Sequence, residues 1–177
     1  MGRWRPPTKS GSPYITAAGY AALQEEQKSL WARRRDVVKA LAAAAAEGDR
    51  SENAEYIYRK KELAGIDRRV RYLQRRMPTL KIVRHAKAPE GVFFGAHVTV
   101  CNSDGETRHY QIVGEDEAKP GEGRINVDSP MAKALLKRQC GEQVSFPGGR
   151  DSRTVETQTA EPKIVQATIT DIRYDLD

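Results

Sequence analysis

The 177-residue sequence is short of cysteine, aromatics and long apolar runs, and each shortage removes a class of protein. Its two cysteines, Cys101 and Cys140, stand 39 positions apart without a companion CxxC or histidine cluster. That spacing points neither to a zinc site nor to a disulfide framework, and both read as reduced, core-type cysteines of a cytosolic protein. No apolar run approaches the roughly 18 residues that span a bilayer. The start, Met1 to Pro13, is basic and proline-rich with no apolar stretch, so the expectation is a cytoplasmic chain, neither secreted nor membrane-bound. Hydrophobic residues reach only 38% and aromatics 7%, too little for one large core, and an elongated element is expected. Walker loops, dinucleotide fingerprints and Ser/His/Asp sets are missing. The chain is therefore read as having no enzyme site or cofactor of its own.

Charge is what the sequence has in plenty, and it is unevenly placed. Lys and Arg number 30 against 24 Asp and Glu. Residues 1–88 hold 20 basic and 9 acidic residues, while 89–177 hold 10 and 15, so a net of +11 faces a net of −5. A basic half joined to an acidic half suggests a polyanion partner for the first and a protein partner for the second.

Two heptad segments fill the basic half. From Ala17 to Glu47 there is no proline, with Thr16 placed to cap, and Tyr20, Leu23, Leu30, Val37 and Leu41 fall on a three–four spacing if Gln27 and Arg34 occupy seam positions. Ala42 to Ala46 lets a second helix approach closely, and Gly48 breaks the pattern. The spacing resumes at Tyr56, Arg59, Leu63, Ile66, Val70, Leu73, Met77 and Leu80, with Pro78 suited to end it. Two such helices joined by a few residues fold back on each other to bury both seams. The domain reading is a basic arm at 1–13, a long antiparallel coiled-coil hairpin at 14–88 with its acidic tip at 47–56, and a further domain at 89–177.

In that last domain the period becomes alternation. Val92–Phe94 and His97–Cys101 read as strand, Asn102-Ser103-Asp104-Gly105 as a turn, and Arg108–Gly114 as the returning strand. Ile125–Val127, Gln143–Phe146 and Ile164–Tyr174 read as further strands. Ser129 and Pro130 mark the start of a short helix expected to run to Gly141. The fold class is thus α+β in two domains, the second a small antiparallel-sheet domain with one short helix.

Three groups of residues can carry chemistry. At the tip, Asp49 and Glu52 have the spacing of a capping box, and the same hard oxygens are the kind that ligate Mg²⁺, which often takes one or two protein carboxylates. Spacing alone leaves both readings open. Along the second helix Lys61, Arg68 and Arg75 repeat every seven residues with Arg71 beside them; such a face is a solvated surface or a phosphate contact. His97 and His109 lie on neighbouring strands, where a third metal ligand is not evident.

Four stretches together resemble the bacterial Gre transcript cleavage factors: Gly48-Asp49-Arg50-Ser51-Glu52-Asn53-Ala54-Glu55-Tyr56, Ile66-Asp67-Arg68-Arg69-Val70-Arg71-Tyr72-Leu73, Phe93-Phe94-Gly95-Ala96, and Asp128-Ser129-Pro130-Met131-Ala132-Lys133-Ala134-Leu135-Leu136. The second and third are similar to the GreB type. The resemblance spans roughly residues 14–175 and implies a C-terminal domain of the FK506-binding-protein type. It also implies a monomeric transcription elongation factor whose hairpin enters the secondary channel of a backtracked RNA polymerase. There its tip would help the polymerase's own Mg²⁺ cut the extruded 3′ end of the nascent RNA. By matching motif, Asp49 and Glu52 are the assisting acids, with no metal held in the free protein, and Asn53, Glu55 and Tyr56 are the surrounding tip. Arg59, Lys60, Lys61, Arg68, Arg69, Arg71 and Arg75 are the RNA-facing surface, and Asp128, Ser129 and Pro130 are the polymerase-docking loop.

The arm 1–13 and the stretch 148–161 are longer than the family pattern; the first could bind nucleic acid and the second could modify docking. A non-cleaving channel regulator is an alternative that the intact acidic pair argues against. A prolyl isomerase is another, suggested by the implied fold alone.

Overall fold

The computed structural model describes residues 11–46, 48, 50, 52–147 and 164–175. It divides into two units, one of residues 17–80 and one made of the chain up to Thr16 together with the chain from Lys81 onward. Most of the arm, the tip residue Asp49 and the long stretch from 148 lie outside the described residues.

The first unit is an antiparallel helical hairpin. α1 runs Ala17–Ala46 and α2 runs Ala54–Arg76, followed by a 3₁₀ turn at Met77–Thr79 that carries Pro78. The seam is the one that the heptads mark: Leu23, Val37 and Ala44 of α1 and Ile66, Val70 and Leu73 of α2 are buried, with Leu30 and Leu63 packed against them. Few of these side chains are large, so the apolar seam is thin. Ion pairs across the hairpin supplement it. Arg34 at its polar seam position meets Asp67 at 2.7 Å, Arg33 meets Glu62 at 2.6 Å, and Arg69 holds Glu26 with two nitrogens at 2.6 and 2.8 Å.

In the second unit, strands β1 (Tyr14–Thr16) and β2 (Lys81–Val83) pair in parallel, with Tyr14 opposite Lys81 and Ile15 fully buried. The hairpin proper is therefore 17–80 rather than 14–88, because the residues flanking it hydrogen-bond to each other as sheet. Glu117, buried by its surroundings, accepts from the Thr16 amide at 2.9 Å, from the Thr16 hydroxyl, and from the Gly114 amide at 3.3 Å.

The main sheet holds β3 (His97–Asn102), β4 (Thr107–Val113), β5 (Arg124–Asn126), β6 (Gln143–Pro147) and β7 (Ile164–Arg173), in the order β5-β4-β3-β7-β6. All neighbours are antiparallel except β4 and β5. Alternation on β3 sends Val98 and Val100 into a core with Ile112, Ile169 and Leu135 of helix α3 (Pro130–Leu135). His97, Thr99 and Cys101, at the alternate positions of β3, are only part-buried. The turn at 103–105 closes on Gly105 at φ +78°.

Three expectations need correction. Val92–Phe94 is not a strand: Val92 exchanges hydrogen bonds with Lys137 and Arg138, and the chain then turns through Gly95 at φ +84°. The Tyr174 hydroxyl ties this bend, donating to Gly91 O at 2.5 Å and accepting from Phe93 N at 2.8 Å. Burial raises the Tyr174 pKa, against a lowering by the Phe93 amide. α3 closes at Leu135, well before Gly141, where Lys137 takes a left-handed conformation at φ 67°. Neither cysteine belongs to the core, since Cys101 is half-buried and Cys140 exposed; both are free thiols. Among the described residues no helix is long and apolar enough to cross a membrane.

Candidate functional site: the hairpin tip, its basic flank and the docking loop

The tip is organised by Asn53. Its Oδ1 accepts from the Tyr56 amide at 3.0 Å and caps α2, while its Nδ2 donates to Ala44 O of α1 at 3.0 Å. The cap is thus Asn53 rather than Asp49, four residues later in the chain than the capping-box spacing suggests, and its side chain bonds to both helix ends. Glu52 is then left outside the helix in a turn, exposed, with no partner among the described residues. Among the described residues beside it, Asn53, Glu55 and Tyr56 are engaged. Glu55 pairs with Arg59 at 2.7 Å, and Tyr56 sits beneath two cations, Arg50 and Lys60, each 6.0 Å from the ring centroid.

The basic flank separates into two kinds of residue. Arg59 bridges Glu55 and Glu62, and those two hydrogen bonds raise its pKa. Arg69 is held by Glu26, whose pKa falls chiefly through that hydrogen bond, with burial opposing. Glu62 is likewise lowered, first by the hydrogen bond from Arg33 and further by Arg59. These two arginines therefore do structural duty in the hairpin. Lys60, Lys61, Arg68, Arg71 and Arg75 are exposed and form no ion pair among the described residues. The resemblance puts all seven on one RNA-facing surface, whereas the seven-residue spacing alone joins only Lys61, Arg68 and Arg75, with Arg71 beside them. What both missed was the acidic residues on both helices that draw Arg59 and Arg69 inward.

The docking loop follows β5. Ser129 Oγ accepts from the Ala132 amide at 3.2 Å and caps α3, with Pro130 exposed at its first turn. Asp128 is exposed; its amide bonds to Asn126 Oδ1 at 2.9 Å and its carboxylate accepts from Ser12 N at 2.8 Å.

A polar cleft of about 620 Å³ on the sheet unit, missed by motif reasoning, contains His97, His109, Gln111, Arg124 and Arg173. Its charges are internally matched: Arg124 with Glu122 and Arg173 with Asp171, both at 2.6 Å, and His97 with Asp175 at 3.0 Å. His109 bonds to Thr99 at 3.0 Å. Among the described residues no three His, Cys, Asp or Glu side chains converge as a metal site.

Residues 13–82 match the family model described as transcription elongation factor, N-terminal, and residues 87–174 match that of transcription elongation factor GreA/GreB, C-terminal. The chain belongs to the GreA/GreB family of transcription elongation factors. Within it the similarity is to the GreB type. The chain is 50% identical over 160 residues to transcription elongation factor GreB of Xanthomonas axonopodis pv. citri, covering 88% of this chain and 95% of that one. It is 49% identical over 146 residues to the protein of the same name from Pseudomonas aeruginosa, covering 81% and 87%. Among solved structures the transcription factor Gfh1 aligns over 90% of this chain and 96% of its own, at 23% identity and a TM-score of 0.41. The family assignment rests on the sequence matches.

Proposed function

We propose that this protein binds RNA polymerase, enters the secondary channel with its hairpin, and stimulates the polymerase to cleave backtracked nascent RNA, without an enzyme site of its own. The observation that carries this reading is Glu52, an exposed carboxylate with no partner among the described residues, beside Asn53 and Glu55, which are both hydrogen-bonded. A carboxylate needed for the fold would be paired or capping. One needed by another molecule is held ready and unpaired.

The donor set fits a hard divalent cation. Glu52 offers free carboxylate oxygens, and Asp49 of the same tip offers a second pair, matching the one or two protein carboxylates that Mg²⁺ takes. Glu52 and Asp49 would help to hold an ion supplied by the polymerase; in two-metal phosphodiester cleavage one ion would serve the attacking water and the other the leaving oxygen. The contribution of this chain is positional. Asn53 locks the start of α2 to the end of α1, so that Glu52 is presented at a fixed point. The seam and its cross-hairpin ion pairs keep the two helices together on insertion. The exposed lysine and arginines of α2 lie beside the path of the extruded strand, and Asp128, Ser129 and Pro130 contact the polymerase.

Asp49→Asn combined with Glu52→Gln tests it. In stalled, backtracked polymerase complexes the wild-type protein is expected to accelerate RNA cleavage, and the double variant to lose that acceleration while still competing for the polymerase. Acceleration by the variant equal to wild type would overturn the metal-assisting role. Wild-type binding without any acceleration would identify a non-cleaving channel regulator.

A further inference from the structure

Resting on that reading, we infer that Tyr58 is a stacking platform for a base of the extruded RNA, flanked by phosphate-gripping Lys61 and Arg68. Tyr58 is 58% exposed, on a helix whose apolar seam of Ile66, Val70 and Leu73 is buried. Its ring is backed by the Arg59 guanidinium, 5.3 Å from the centroid. Arg59 is itself fixed by Glu55 and Glu62, so the ring rests on an immobilised base instead of swinging freely.

A second cation–ring pair stands fourteen residues on, at a half-buried tyrosine. Tyr72 has Arg69 over its ring at 5.1 Å, and Arg69 is fixed by Glu26. Residues seven apart share a helix face, so Tyr58, Gly65 and Tyr72 form one row, and Lys61, Arg68 and Arg75 form the adjacent row. Between the rings a Cβ added at Gly65 would meet nothing within 4 Å. No packing inside the hairpin therefore explains this glycine, although a helix interior disfavours glycine relative to alanine. The bare backbone at Gly65 leaves a notch between two aromatic ends, beside a row of cations that form no ion pair among the described residues.

Aromatic rings set beside a line of positive charge are what single-stranded nucleic acid binds: bases stack on the rings without regard to sequence, and phosphates meet the cations. A duplex would hide its base faces, and an acidic peptide would have no use for the rings. The occupant is accordingly a single strand of RNA, and Tyr58, a few residues beyond the tip, meets it before Tyr72 does.

The test uses polymerase complexes backtracked to increasing lengths, with an abasic nucleotide placed at successive positions of the extruded RNA. Tyr58→Ala is expected to raise the protein concentration for half-maximal cleavage by on the order of tenfold on long backtracks and to leave two-nucleotide backtracks unchanged. Tyr58→Phe is expected to behave as wild type. With the wild-type protein, an abasic nucleotide at one position is expected to cause the same loss, and Tyr58→Ala to add nothing to it. This arm needs no variant to fold. If no abasic position affects the wild-type protein on long backtracks, or if losses from Tyr58→Ala and the abasic site simply multiply, the stacking role is overturned. Failure of the wild-type protein to accelerate cleavage on short backtracks would instead overturn the proposed function.

Discussion

Asn53 donates through Nδ2 to Ala44 O at 3.0 Å while its Oδ1 accepts from the Tyr56 amide at 3.0 Å, so one side chain closes both helix ends at the tip. Asn53→Ala removes a cap and a cross-hairpin bond together. The expected cost is about 1–2 kcal/mol of hairpin stability, and slower stimulated cleavage with both tip acids intact. Asn53→Asp keeps the cap acceptor and loses the donor, so it is expected to fall between wild type and alanine. Denaturant unfolding and cleavage rates on the three proteins check the order; equal rates in all three would separate tip geometry from activity.

The periodic parts of the molecule were legible from sequence because apolar spacing and burial report the same thing. Val37, Ile66, Val70 and Leu73 stand on the predicted seam and are buried, and Ser129 and Pro130 start α3 as their types require. What spacing could not supply was competition between residues for one role. The capping-box spacing points to Asp49, whereas the cap of α2 is Asn53, whose side-chain amide also reaches Ala44 across the hairpin. Phe93 and Phe94 look like strand, yet Gly95 and the Tyr174 hydroxyl fold that stretch into a bend from far along the chain. The parallel pairing of β1 with β2 joins segments separated by the whole hairpin, and no local pattern encodes it.

Acid is expected to loosen the hairpin through two carboxylates. Glu26 and Glu62 both titrate below the ordinary glutamate value of 4.5, each chiefly through a hydrogen bond from an arginine. A carboxyl whose folded pKa is depressed adds stability that is complete above 4.5 and disappears as pH falls through the lower folded value. Both groups are part-exposed, so screening keeps each contribution small. Thermal unfolding from pH 7 downward is expected to show stability declining below about pH 4.5. Glu26→Gln with Glu62→Gln should flatten that decline and lower stability at pH 7; an unchanged acid limb would remove these pairs from the account.

Pro130 is exposed at the first turn of α3, where its missing amide costs the helix nothing. Pro130→Ala is therefore expected to fold normally and to weaken binding to RNA polymerase several-fold. Asp128→Asn is the better companion than alanine, since it removes the charge and keeps an oxygen for the Ser12 amide. Competition binding with unfolding curves in parallel checks both. Wild-type affinity in the two variants would take this loop out of the polymerase interface.

Lys61, Arg68, Arg71 and Arg75 are exposed and form no ion pair among the described residues, in contrast to Arg59 and Arg69 on the same helix. If the four cations lie along extruded RNA, reversing them to glutamate costs more as the backtrack lengthens, because each added nucleotide brings another phosphate into reach. Each neutralised phosphate also adds to the salt dependence of binding, with a slope near −0.7 per contact for a single strand. The variant is therefore expected to lose cleavage progressively across complexes backtracked by two, five and ten or so nucleotides, and the wild-type advantage to shrink as salt is raised. Arg59→Gln and Arg69→Gln are expected to act differently, lowering hairpin stability at every length alike, since their charges are spent on Glu55, Glu62 and Glu26. A mutant-to-wild-type ratio that stays flat with backtrack length at both low and high salt would assign the four cations to solvent, and would leave the proposed role of Glu52 and Asp49 untouched.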